Sequence, residues 1–146
     1  MVKSGKRVLP LLTGATALFA LFAVMPAHAA RPVTGRWTGQ VTKGQALSGK
    51  DGMPTFRVSA NQRLLTNFKI GGIGGYCASG YQVVSVVVPR AKIKASGKFK
   101  VTYHPVRGSD AKVTLSGTFT RARRVTGKVE GRNFCDYDIH FKAHPG

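Results

Sequence analysis

The sequence predicts an all-β protein, a single-domain antiparallel sandwich or barrel of seven or eight strands held by one disulfide. Three observations predict it. After Arg31 apolar residues alternate with a period of two, and no window of about 11 residues carries a helical stripe. Gly, Pro, Asn and Ser-Gly clusters break that alternation roughly every 8 to 12 residues, the spacing of short antiparallel strands. Cys77 and Cys135 are the only two cysteines.

The first segment reads as an export signal. Lys3, Lys6 and Arg7 precede an apolar run from Val8 to Met25, and small residues follow at Ala27 and Ala29. That order predicts a cleavable signal peptide over residues 1–29, cut after Ala29. The alternative is an uncleaved membrane anchor, because the run approaches spanning length. Pro10, Gly14 and the A-x-A site favour cleavage. No cysteine beside the site offers lipid attachment, and Lys6-Arg7 is only a degenerate twin-arginine pair, so ordinary unfolded export is the default. The mature chain, residues 30–146, is then one β-domain without a membrane span, placed outside the cytoplasm or at the cell surface. In that oxidising setting Cys77 and Cys135 form one disulfide.

Within the domain, Trp37, Gly39 and Val41 alternate with Arg36, Thr38 and Gln40. Phe56, Val58 and Ala60 alternate with Arg57 and Ser59, and Leu64, Thr66, Phe68 and Ile70 share one parity. The stretch KIGGIGGYCASGY, Lys69 to Tyr81, reads as a mobile glycine connection tethered by Cys77. Val83 to Val88 is nearly continuously apolar, which predicts a central strand covered on both faces. Phe99, Val101 and Tyr103 alternate with Lys98, Lys100 and Thr102. In the last third the inward residues must keep one parity across each turn. A three-residue turn at Arg121–Arg123 then pairs Phe119 with Val125, Gly117 with Gly127 and Leu115 with Val129. The next turn, at Asn133–Cys135, pairs Val129 with Ile139 and Gly127 with Phe141.

The segments GRWTGQV, FRV, SGKFKV and LSGTF…RVTGKVEG, with a mid-chain and a late cysteine, carry a resemblance. In these motifs the chain resembles a family of small secreted β-domains from actinobacteria and related bacteria that has no characterised function. The resemblance covers most of the mature chain and implies an all-β fold with paired cysteines. It implies no catalytic residue.

The glycine run matches no chemical template. A dinucleotide fingerprint starting at Gly72 meets Cys77 where its third glycine belongs, and a strand follows instead of a helix. A nucleophile elbow fails too, since the glycine after Cys77 comes one place late, at Gly80. His104 and His144 read as solvated, in a loop and in the C-terminal tail. Asp136, Asp138 and His140 share the outward face of the last strand, about 7 Å apart along it. The register sets Arg132 opposite Asp136, Glu130 opposite Asp138, and Lys128 opposite His140. Two facing carboxylates cost energy unless a cation or a basic side chain sits between them. Glu130, Asp138 and His140 are therefore weak metal or acid/base candidates, and the competing reading is a charge ladder in which Lys128 and Arg132 span the acids. No catalytic residue and no cofactor are assigned.

The 146 residues hold 23 Lys and Arg against five Asp and Glu. Signal cleavage removes three basic residues and no acid, leaving a net charge of +15. That predicts attraction to polyanions with steep salt dependence. The candidate contacts are Lys92, Lys94, Lys98, Lys100, Arg121, Arg123, Arg124 and Lys128, within a wider outward set that includes Arg57, Lys69, Lys112 and Lys142. Trp37, Phe56, Phe68, Phe99, Phe119 and Phe141 have inward parity, which leaves Tyr76, Tyr81 and Phe134 for any stacking platform. Sequence-specific nucleic-acid recognition is disfavoured on that count. The expectation is a non-catalytic exported domain that binds anionic cell-wall polymer or polysaccharide. The alternatives are a small hydrolase or metal-dependent enzyme, and a ligand carrier or protein inhibitor.

Overall fold

The computed structural model describes residues 31–47 and 49–146. The expected export signal lies outside the described residues. Eight strands follow in order: β1 (Gly35–Lys43), β2 (Thr55–Val58), β3 (Leu64–Cys77), β4 (Gly80–Lys92), β5 (Lys98–Tyr103), β6 (Lys112–Arg121), β7 (Arg124–Arg132) and β8 (Cys135–Pro145). They form one sheet in the order β4-β3-β2-β1-β8-β7-β6-β5. The far ends of β3 and β8 also pair, Tyr76 with Asp136 and Cys77 with Cys135, which closes β1, β2, β3 and β8 into a barrel. β4 continues outward from β3, and β7, β6 and β5 continue from β8. A single bridge between Ile93 and Phe99 links the two outermost strands at the opposite end. The expected all-β class and the Cys77–Cys135 disulfide are present, and the choice between sandwich and barrel resolves to a closed barrel core with outside strands.

One hydrophobic core serves all eight strands. Its centre is a chain of rings. Phe99, Phe119, Trp37, Phe56, Phe68 and Phe141 succeed one another with centroids 5.2 to 6.3 Å apart. Trp37 is fully buried and its indole N–H donates to Val33 O at 2.9 Å. This filling bears on the carrier alternative, because the interior is occupied by rings. Glycines make room for them. The Phe99, Phe141 and Tyr137 rings lie over Gly117, Gly127 and Gly131, where a methyl group would collide with each ring.

The predicted meander register holds at Phe119–Val125, Gly117–Gly127, Leu115–Val129, Val129–Ile139 and Gly127–Phe141. The first turn is tighter than expected. Arg121 pairs with Arg124 around Ala122-Arg123, and a bulge after Phe119 absorbs the third residue.

Three expectations are corrected. β4 is a terminal strand of the sheet, not a central one; Val86, Val88 and Ala91 face the core, while Val83 and Val87 are 54% and 51% exposed. A continuous valine run cannot distinguish two covered faces from one covered face and one bare one. The Gly71–Gly75 run lies inside β3, and the β3–β4 turn is only Ala78-Ser79. A bulge between Ile70 and Ile73, with Gly72 at φ 62°, bends the strand there. The glycines admit the chain after β1, whose Leu47 N–H donates to Gly72 O and whose Gln45 O accepts from Gly74 N–H. Finally, Leu65 faces the core in place of Leu64 and Thr66, while Phe68 and Ile70 face it as expected. Asn67 at φ 53° stands opposite Pro89, which has no N–H to donate, and both strands change parity at that point.

Gly127→Ala forces the Phe141 ring to move and is expected to lower stability by about 1–3 kcal/mol in denaturant unfolding. Replacing both Cys77 and Cys135 by serine opens a loop 58 residues long. The expected loss is up to ~4 kcal/mol, read as a lower Tm for the double variant than for the oxidised parent.

Candidate functional site

Strand direction sorts the connections into two ends. The β1–β2, β3–β4, β5–β6 and β7–β8 connections share the end that holds the disulfide. The β2–β3, β4–β5 and β6–β7 turns share the other end with the segment before β1. Backbone hydrogen bonds knit these last pieces into one surface: Ile93 N–H to Arg63 O, Phe119 N–H to Gly97 O, and Val33 N–H to Ala122 O. The β2–β3 turn is fixed locally, because Asn61 Oδ1 accepts from both the Ser59 hydroxyl and the Arg63 N–H. Gly97, at φ 73°, and its N–H bond to Lys94 O shape the β4–β5 turn.

This end is cationic. A groove of about 650 Å³ is lined by Arg31, Arg63, Lys92 and Lys94 together with Asn61 and Gln62, and no carboxylate lines it. The β6–β7 turn adds Arg121, Arg123 and Arg124 at the same end. Around the outer face of β7, β8 and β1 a second hollow of about 580 Å³ is bordered by Arg124, Lys142 and His144, again without a carboxylate. His144 belongs to β8, opposite Thr38, and not to a free tail. All five acids sit towards the disulfide end: Asp51 and Asp110 in its loops, Asp136 at the start of β8, and Glu130 and Asp138 in the adjoining strand halves.

The structure divides the sequence candidates accordingly. Lys92, Lys94, Arg121, Arg123 and Arg124 come together at the cationic end. Lys98 and Lys100 lie exposed along β5. Lys128 is taken up by acids, its Nζ lying 2.9 Å from Glu130 Oε1 and 3.1 Å from Asp138 Oδ2. Arg31 and Arg63 are additions that residue parity alone does not reveal. Counting strand reversals would have found Arg63, since alternate turns of a meander fall at the same end.

Glu130 and Asp138 do face each other across β7 and β8, and Lys128 stands opposite His140. The space between the carboxylates is filled by the Lys128 ammonium. Arg132 Nη2 reaches Glu130 Oε1 at 3.3 Å, and His140 Nε2 lies 3.1 Å from Asp138 Oδ1. Arg132 also donates to the carbonyls of Gly131 and Tyr137, so its guanidinium turns towards Glu130 and not towards the expected Asp136. Among the described residues no group of three or more His, Cys, Asp and Glu is placed to hold a metal ion. What the patch can do is hold a charge ladder. Hydrogen bonds to Glu130 first, then to Asp138, raise the Lys128 ammonium above its ordinary 10.5.

The exposed aromatic residues lie away from the cationic end. Tyr76, 73% exposed, packs edge-on against Tyr81 with centroids 5.5 Å apart, and Phe134 occupies the β7–β8 turn. All three belong to the disulfide end. That end also carries a small apolar recess, about 180 Å³, between β4, Tyr103, Phe134 and Tyr137. Burial pushes the Tyr103 and Tyr137 phenols up, so both stay neutral donors at physiological pH.

Fold and surface together define a disulfide-closed antiparallel β-barrel with a packed interior and one cationic end. No family model, curated protein or solved structure matches the chain. Among the described residues no helix is long and apolar enough to cross a membrane.

A pH test follows from the ladder. Lys128 is more basic folded than unfolded, so its contribution is complete below pH 10.5 and is lost as pH rises through the folded value. In Lys128→Met no ammonium stands between the two carboxylates, and Arg132 still pairs with Glu130. The stability gap between wild type and this variant is expected to be full at neutral pH and to shrink in strong alkali, above about pH 10.5, as Lys128 deprotonates. Denaturant midpoints across pH give the check.

Proposed function

We propose that this protein is an exported, non-catalytic β-domain that binds anionic polymers outside the cytoplasm, a member of the small secreted actinobacterial β-domains it resembles. The observation that carries the reading is the carboxylate-free groove of Arg31, Arg63, Lys92 and Lys94, at the end of the barrel farthest from the acids. Clustered charge of one sign raises the local concentration of a counter-charged chain, and each neutralised anion releases bound counterions. The ligand class is a polymer of repeating phosphate, sulfate or carboxylate groups, such as an anionic cell-wall polymer or acidic polysaccharide. Nucleic-acid readers of the single-strand type set aromatic rings beside their cations to stack bases. Here Tyr76, Tyr81 and Phe134 are at the opposite end, so the groove offers charge without a stacking platform. The disulfide supports an oxidising compartment.

The test is retention on immobilised heparin or teichoic acid over a range of salt concentrations. Wild-type affinity is expected to fall steeply with salt. The triple variant Arg63→Ala/Lys92→Ala/Lys94→Ala should lower the slope of log affinity against log salt by about 1 per lost side chain. Removing the same charge elsewhere, with Lys69→Ala/Lys100→Ala/Lys112→Ala, should have the smaller effect. Equal losses from both triples would remove the groove from the reading, and salt-independent retention would remove polyanion binding itself.

A further inference from the structure

The outer edge of β4 is the least protected surface of the molecule. β4 ends the sheet, and beyond the Ile93–Phe99 bridge no described strand pairs with its free side. From Gly80 to Pro89 it holds no charged residue, in a chain of which 19% of residues are charged. Tyr81, Val83 and Val87 are each more than half exposed there, with Tyr76 of β3 beside them. β5, the other terminal strand, carries exposed Lys98 and Lys100, the usual protection of a sheet edge. Such protection begins in β4 only at Pro89, Arg90 and Lys92, and the apolar edge from Gly80 to Val88 is a template for another strand.

We propose that β4 pairs antiparallel with β4 of a second copy of this chain, about a two-fold axis at Ser85. A two-fold interface needs a self-complementary patch, and the sequence around Ser85 reads alike in both directions. Residues directly opposite in an antiparallel pair share a face. Centring on Ser85 sets Val83 against Val87 of the second copy on the outer face, and Val84 against Val86 on the inner one. Gln82 meets Val88, and Pro89, which cannot donate a hydrogen bond, marks the end of the ladder. Charge favours the same arrangement. The antiparallel crossing sets beside the Arg90, Lys92 and Lys94 end of each copy the disulfide end of the other, where the acids offset Lys43, Lys50, Arg107, Lys112, Lys128 and Arg132, and it keeps the two cationic ends apart. A dimer built this way carries two basic grooves on one rigid body, which allows one polymer to be held at two points. The dimer itself does not depend on polymer binding.

Sedimentation equilibrium of the disulfide-intact protein should give twice the monomer mass, and Val87→Lys should give the monomer mass with an unchanged circular-dichroism spectrum. Ser85→Cys should cross-link under mild oxidation into a dimer that reductant separates, with Cys77–Cys135 intact by peptide mapping. Both substituted side chains are solvent-exposed, so the core is left as it is. A wild-type monomer overturns the proposal. So does a dimer that survives Val87→Lys, or one in which Ser85→Cys stays uncross-linked.

Discussion

The whole fold depends on β3 having two different neighbours. Its first half pairs with β2, and its last two residues pair with β8, so the strand must turn from one partner to the other within 14 residues. A strand of ordinary residues resists that bend, because side chains on its concave face crowd each other and the covering chain. The bulge at Gly71-Gly72 and the bare backbone at Gly74 remove the crowding, and the segment after β1 fills the space with main-chain hydrogen bonds. The disulfide fastens the far end of the bent strand to β8. Closure of the barrel follows from this bend.

The polarity of the molecule has an equally simple origin. In an up-and-down chain, alternate turns fall at opposite ends, so the residues placed in alternate turns decide what each end presents. The turns after β2, β4 and β6 are rich in Arg and Lys, and the connections at the other end receive acids and aromatic rings. Charge segregation needs no special device beyond that assignment. The Glu130–Lys128–Asp138 ladder then offsets one of the basic residues in the opposite half.

How much of this was legible in the sequence depended on whether a single strand carried the information. The β6–β7–β8 register was readable because Phe119, Val125, Val129, Ile139 and Phe141 admit only one parity across two short turns. Facing of Glu130 and Asp138 followed from it. The β3–β4 geometry was not readable, because the kink arises from Asn67 standing opposite Pro89, a pair that becomes visible only once the strands are aligned. The exposed face of β4 was hidden for a related reason: what leaves it bare is that no described element packs over Val83 and Val87, not any residue within it. Of the cationic end, Lys92, Lys94 and the Arg121–Arg124 turn were visible as clusters. Arg31 and Arg63 stand alone in sequence and join them only through three dimensions.

β8, the last of the described strands, sits in the middle of the sheet. β8 lies between β1 and β7, and Trp37 of β1 finds Pro145 as its partner. Hairpins β3–β4, β5–β6 and β6–β7 join near neighbours and can form as the chain emerges, whereas β1 keeps an open edge until β8 arrives. Cys77 must likewise wait for Cys135. Barrel closure and cross-linking thus become late, nearly simultaneous events. Any oxidant that reached Cys77 earlier would find only another molecule's thiol to pair with it.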